Sequence, residues 1–435
     1  MNWKELYEQR LTSAEAALKN IPNGARVVTG HAVGEPSYLL TVMAENKDWF
    51  QDVEICHMVS LGKNEYCQEG MEGHFRHNAF FIGQGTKQAV ADGRGDYTPC
   101  FFYEIPRLFE KELPVDVALI TVTPPDENGK VSLGVSVDYT KAAAKHAKIV
   151  IAQVNDQMPY TYGESLLDIS EIDYFVEHST PLKELKPAIL GDVEKAIGKN
   201  CASLIKDGDT LQLGIGAIPD AVLLSLKDKK DLGIHSEMFS DGVVELVEAG
   251  VITNTAKKLL PGKMIANFLM GTKRLYDFVD HNKSIGMYPA DFTNDPVVVA
   301  KNENIICINS SVQVDLMGQA CSESVGLKQI SGVGGQVDFI RGASMAKHGV
   351  SILAFPSTAA KGKISKIVPF LDKGAAVTTS RNDIDYVITE YGIAHLKGKT
   401  LRERAKLLIE IAHPDFRPQL IEEFEQRFQC KIELC

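Results

Sequence analysis

A glutamate at the end of a short apolar run opens the chemical reading of this sequence. Gly233-Ile234-His235-Ser236-Glu237-Met238-Phe239-Ser240-Asp241-Gly242 places Glu237 where a strand ends, the region in which open α/β sheets bind ligands. A glutamate can act as a nucleophile when its surroundings keep it ionised yet poorly hydrated. Local sequence on its own favours the plainer alternative, a solvated turn acid. His235 alternates to the opposite strand face from Ser236 and is expected to pack or hydrogen-bond in the core.

Two glycine clusters could bring backbone amides to a ligand. Leu211-Gln212-Leu213-Gly214-Ile215-Gly216-Ala217-Ile218-Pro219-Asp220 reads as a strand, a tight turn and a helix with Pro219 in its first turn. Amides at such a helix start can hold a phosphate or a developing oxyanion. The segment lacks the third glycine of a nucleotide-binding GxGxxG, and a ligand-free βα turn fits the residues as well. Ser331-Gly332-Val333-Gly334-Gly335-Gln336 is the second cluster, an oxyanion hole on one reading and a β-bulge or barrel-like corner on the other. Lys361, Lys363 and Lys366, just ahead of an apolar run, could neutralise a phosphate or simply face solvent. His74 and His77 have the spacing of metal ligands, but no carboxylate or thiol cluster stands beside them, so no metal is expected.

These groups need a scaffold. ARVVTG, DVEICHMVSL, VDVALITVTP, AKIVIAQVN, DTLQLGIG, IICINSSVQVD and DYVITE are β-rich runs, and amphipathic helices such as EPSYLLTVMAEN and PDAVLLSLKDK lie between them. That alternation predicts α/β layers with parallel or mixed sheets. Ser179–Gly191, with two prolines and little periodicity, is the expected linker, which gives domains over 1–185 and 186–435. The run starting at Gly24 aligns without a gap on the run starting at Gly208, Gly30 falling on Gly214. Two similar halves are therefore expected. After the helix a shortened second copy brings the run from Asp52 opposite the run from Asp231, where Glu237 stands opposite Met58, so only the second half carries the carboxylate.

Composition narrows the partners. The 46 Lys plus Arg against 57 Asp plus Glu give a charge of −11, which argues against nucleic acid as a partner. No apolar run reaches the length of a membrane span, and the start MNWKELYEQR has no signal-peptide core. Eight scattered cysteines without a CxxC pair read as free thiols, and a cytoplasmic protein is expected.

In order along the chain, HMVSLGKNEY, VTPPDENGKVSLGVSVDY, QVNDQMPYTYG, LQLGIGAIPDAV, GIHSEMFSDG, SGVGGQVDFIRGAS, GKISKIVP and VTTSRNDIDYVITEYGIAHLKG followed by IAHPDF resemble the acetyl-CoA hydrolase and transferase family, most closely its 4-hydroxybutyrate CoA-transferase branch. The resemblance spans nearly the whole chain. It implies two similar α/β domains with the active site in the cleft between them, and it places the family's catalytic glutamate at Glu237, overturning the local reading. It carries CoA binding to Gly214, Ile215, Gly216, Ala217, Ile218, Ser331, Gly335 and Lys361, with Lys361 preferred to Lys363. Relatives often have Asn at the position of Ser331, whose hydroxyl reaches less far. His31 and Gln212 are expected on the substrate side, with a satisfied core role as the alternative for each.

The implied reaction moves CoA from a short-chain acyl-CoA to a free carboxylate such as acetate, butyrate or 4-hydroxybutyrate, in ping-pong fashion through a glutamyl-CoA thioester. It uses no resident cofactor, CoA being a substrate. The family is often dimeric. An acyl-CoA hydrolase and a non-catalytic acyl-CoA sensor are the alternatives.

Overall fold

A computed structural model of the chain describes residues 2–432; Cys435, expected above to be a free thiol, lies outside the described residues. The buried residues Cys56, Cys67, Cys201, Cys307 and Cys321 are thiols.

Two compact units divide the chain. In the first, Arg26–Thr29 (β1), Val53–His57 (β2), Phe75–Ala79 (β3), Gly95–Tyr97 (β4), Val117–Val122 (β5), Ile149–Val154 (β6) and Tyr174–Glu177 (β7) form a sheet in the order β4-β3-β2-β1-β5-β6-β7. Every pairing is parallel. A parallel sheet covered on both faces needs strands that are apolar throughout rather than alternating. Val117-Ala118-Leu119-Ile120-Thr121-Val122 meets that need and is buried along its whole length. After β1 the chain turns at Gly30–Pro36 into the helix Ser37–Glu45 (α1), which buries Leu39, Leu40, Val42, Met43 and Ala44 in the core beside Val27, Ile55 and Leu119.

The second unit repeats this plan. Thr210–Leu213 (β8), Gly233–Ile234 (β9), Ile305–Asn309 (β10), Val350–Ala354 (β11), Tyr386–Thr389 (β12) and Gly392–His395 (β13) form a sheet in the order β9-β8-β10-β11-β12-β13. Its pairings are parallel up to the closing β12–β13 hairpin, which is antiparallel. Three helices matter for the site: Ala217–Leu224 (α2), Asp241–Glu248 (α3) and Gln336–Met345 (α4). In both units the first strand lies between the second and a later one, β5 in the first unit and β10 in the second, followed by two more parallel strands, whereas β3 and β4 extend the first sheet alone beyond β2. The strand, turn, helix and strand that the internal sequence match pairs thus have the same placement in each.

The expected domains, 1–185 and 186–435, need a correction. Met264–Thr293 packs with the chain up to Lys186, whereas Pro187–Lys263 joins the chain from Asn294 onward. The reason is backbone pairing. Val137 N donates to Asn267 O at 2.9 Å, Leu269 N to Val135 O at 2.9 Å and Met287 N to Tyr162 O at 2.8 Å. These bonds satisfy main-chain groups of a buried segment that also places Ile265, Phe268 and Leu269 in the interior. Residues 179–190, within the expected linker, hold no helix or strand.

Candidate active site

Glu237 follows β9 on a segment held down at several points. Its neighbour Ser236 accepts from Leu213 N at 3.3 Å and donates to Leu213 O at 2.9 Å, binding the segment to the end of β8. His235 is fully buried and meets Phe339 of α4 edge-on, with ring centroids 6.4 Å apart. Glu237, two residues on and past the end of β9, is partly exposed.

Asn294 brings an amide to this carboxylate, its Nδ2 donating to Glu237 Oε2 at 2.9 Å and lying 3.4 Å from Asp338 Oδ2. Asn294 is completely buried. Gly335 stands against the same group: a Cβ added there would lie 2.0 Å from Glu237 Oε2 and 2.4 Å from Asn294 Nδ2. Its φ of −90° is open to any residue, so the close approach and not the backbone angle calls for glycine. Neither a β-bulge nor a barrel corner is formed here; Gly335 caps the N-terminus of α4, where backbone amides favour negative charge.

The first glycine cluster also ends at a helix start. Gly216, at φ +111°, caps α2, and Gly214 has no atom near the position of an added Cβ. Gly214, Ile215, Ala217 and Ile218 are partly exposed and Gly216 is exposed. Asp220, inside α2, accepts from Ser240 Oγ at 3.2 Å, which ties this turn to the far end of the Glu237 segment.

The remaining expected residues are placed as follows. Ser331 turns its hydroxyl to Gly332 O at 3.3 Å. Lys361 is exposed in a left-handed turn at φ +58°, between Ala360 and Gly362, both also at positive φ. A side chain in that conformation is uncommon and marks a constrained hairpin tip. Lys363 is exposed too, whereas Lys366 lies over the Phe355 ring at 4.9 Å, and burial pushes its ammonium down to about 8. Gln212 is buried and exchanges hydrogen bonds with Asn309 on the adjacent strand, at 3.4 and 3.1 Å. His31, in the first unit, is 1% exposed, donates from Nδ1 to Asp138 at 3.3 Å and sits among Phe102, Tyr139 and Phe268.

The structure therefore brings Glu237 and Gly335 together and gives Gln212 a partner inside its own sheet. Among the described residues, no group of three or more His, Cys, Asp or Glu is placed to hold a metal ion. His74 Nδ1 donates to Phe50 O at 2.9 Å, and His77 pairs with the Tyr66 hydroxyl at 3.1 Å. Sequence reasoning missed Asn294. It arrives from a segment 57 residues beyond Glu237, and the only local signal was its place ahead of Asp295-Pro296 at a helix start.

Buried cations behind the site follow the same physics. Lys257 Nζ donates to Ile234 O at 2.8 Å and Lys263 O at 2.5 Å, and burial lowers its ammonium to about 7. Lys257 thereby fixes the strand from which Glu237 emerges.

Known proteins resemble the chain over nearly its full length. Residues 1–183 match the acetyl-CoA hydrolase/transferase N-terminal domain, and residues 271–424 the corresponding C-terminal domain. A 4-hydroxybutyrate coenzyme A transferase of Clostridium kluyveri is 65% identical over 98% of this chain and 100% of its own. The crystal structure of a 4-hydroxybutyrate CoA-transferase from Porphyromonas gingivalis, 45% identical, superposes with a TM-score of 0.82 over 98% of this chain and all of that one. RipA from Yersinia pestis, 36% identical, gives 0.94 over 99% of this chain and all of its own. An acetyl-CoA hydrolase of Yarrowia lipolytica is more distant, at 28% over 80% of this chain and 75% of its own. No helix among the described residues is long and apolar enough to cross a membrane. The chain belongs to the acetyl-CoA hydrolase/transferase family.

Proposed function

We propose that this chain is a CoA-transferase that moves CoA from a short-chain acyl-CoA to a free short-chain carboxylate, with Glu237 as the covalent nucleophile. The observation that carries the reading is the Glu237 carboxylate held by the Asn294 amide directly against Gly335. The transferase names of the high-identity relatives support this reading over hydrolysis.

In the first half-reaction a Glu237 carboxylate oxygen attacks the thioester carbonyl carbon, the C–S bond breaks, and CoA leaves as thiolate. The product is a mixed anhydride between Glu237 and the acyl group. The thiolate then attacks the glutamyl carbonyl, expelling the donor carboxylate and leaving a glutamyl-CoA thioester. The acceptor carboxylate runs the same steps in reverse. Each step builds negative charge on a carbonyl oxygen, and the Gly335 region at the α4 N-terminus supplies the donors that suit it. The turn Gly214–Ile218 and Lys361 are assigned to CoA, and His31 to the acid. Gln212 keeps the structural role its amide pair gives it. The buried thiols fit a reducing cytoplasmic setting.

Incubation with acyl-CoA and no acceptor, followed by intact-mass and peptide mapping, should find CoA on Glu237. Initial rates at several acetate or butyrate concentrations should give parallel double-reciprocal lines. Intersecting lines, or an adduct on another residue, would overturn the mechanism. CoA release at an unchanged rate without an acceptor would favour hydrolysis.

A further inference from the structure

An asparagine amide has two ends of nearly equal shape and opposite polarity. Turned one way, Asn294 presents N–H to Glu237; turned the other way, it presents a carbonyl oxygen to a carboxylate. The Asn294 nitrogen lies 2.9 Å from Glu237 Oε2 and 3.4 Å from Asp338 Oδ2, two carboxylate acceptors for two N–H bonds. Asn294 is 0% and Asp338 1% exposed, so water is poorly placed to replace either contact. Asp338 lies in the first turn of α4, the turn that also delivers Gly335, and negative charge is favoured at that end of a helix.

We propose that Asp338 is a positioning residue that locks the Asn294 amide with its N–H toward Glu237 throughout turnover. The inference rests on the assignment of Glu237 as nucleophile. Its physical core is a change of charge during the reaction. While Glu237 is an anion it attracts the N–H unaided. Once Glu237 is an anhydride or a thioester that attraction falls away, yet this is when its carbonyl must be polarised for attack by thiolate or acceptor acid. Asp338 is not consumed and keeps its hold on the amide through every intermediate.

The test is a double-mutant cycle on the full-length protein, read by kcat, KM for acyl-CoA and the rate of glutamyl-CoA breakdown on adding acceptor. Asp338→Asn should lower kcat and the breakdown rate by about tenfold to a hundredfold, because the amide loses its fixed direction, with KM for acyl-CoA little changed. In an Asn294→Ala background the same substitution should add less than about a twofold loss. Asp338→Glu keeps the charge and takes the same place in the cycle if Asp338→Asn gives no cooperative thermal unfolding. Additive losses, a loss confined to KM, or wild-type kcat in a folded variant would overturn the proposal. Wild-type protein that forms no adduct on Glu237 would sink both this inference and the nucleophile assignment; a Glu237 adduct with an additive cycle would sink this one alone.

Discussion

The two units share the start of one strand order and put it to opposite ends, and a carboxylate in each makes the contrast. In the first unit Glu35 sits in the turn between β1 and α1. It is buried and accepts from Ser37 Oγ at 2.9 Å, Ser60 Oγ at 2.7 Å, Leu61 N at 2.9 Å and Gly62 N at 3.1 Å. So many donors hold its lone pairs that it braces the loop after β2 and has little left for attack. In the second unit Glu237 follows the strand equivalent to β2, is partly exposed, and stands beside a glycine whose missing side chain makes room for it. Met58 occupies the matching place in the first unit, buried, its N–H donating to Tyr139 Oη at 3.3 Å. A shared fold thus sets where a carboxylate can stand, while its exposure and the room beside it set what it is open to.

The sharpest way to break this contrast is Glu237→Ala. Transfer should fall by on the order of a thousandfold or more, measured as acyl-CoA-dependent CoA transfer to acetate, because a covalent step is removed. Near-normal turnover would mean that the second unit carries its chemistry elsewhere. Next in size is Gly335→Val. Its branched side chain would have to displace the Glu237 carboxylate and the Asn294 amide, and a shift of about 1 Å can cost on the order of a hundredfold. The far-ultraviolet circular dichroism should stay native, since φ at this position suits any residue.

A third prediction sharpens the comparison through stability. In the first unit burial lowers His57 to about 4 against an ordinary 6.5. The unfolded chain therefore binds a proton that the native state does not between those values. Stability is complete above about pH 6.5 and declines as pH falls toward 4, with a slope of up to about 1.4 kcal/mol per pH unit. In the second unit Lys257, lowered to about 7 from 10.5, places its window on the alkaline side, and stability should climb as pH rises from 7 through 10. Denaturant midpoints across pH read both effects: His57→Gln should flatten the acid limb and Lys257→Met the alkaline one, each leaving the other in place.

The smallest effect tests the role proposed for His31 on the acid. His31→Ala should reduce kcat/KM for 4-hydroxybutyrate by about tenfold more than for butyrate, if the imidazole that Asp138 orients pairs with the substrate hydroxyl. Equal losses on the two acids would reduce His31 to a core residue.

Much of this was legible in the sequence. Continuous β-branched runs such as VALITV gave away parallel strands because burial on both faces leaves no polar alternation. Glu237 and Gly335 could be named because each sits in a long ordered motif. Three features were hidden for physical reasons. Asn294 acts through a contact between segments far apart in sequence, and no local period encodes that. Lys366 sits in a lysine-rich turn whose composition suggests solvent, and only tertiary packing lays it over Phe355. The return of Met264–Thr293 to the first unit depends on main-chain pairing, which is nearly blind to side-chain type.

That return sets an order for folding during synthesis. A ribosome delivers the chain from the N-terminus, and domains generally fold as units as they emerge. The first unit cannot close its backbone pairing at Val135, Val137 and Tyr162 until residues up to Met287 are available, by which time Pro187–Lys263 has already been made. Asn294 is the first residue to rejoin the second unit. The amide that meets Glu237 thus emerges only after the last piece of the other unit, so the Asn294–Glu237 contact is among the later ones a nascent chain can complete.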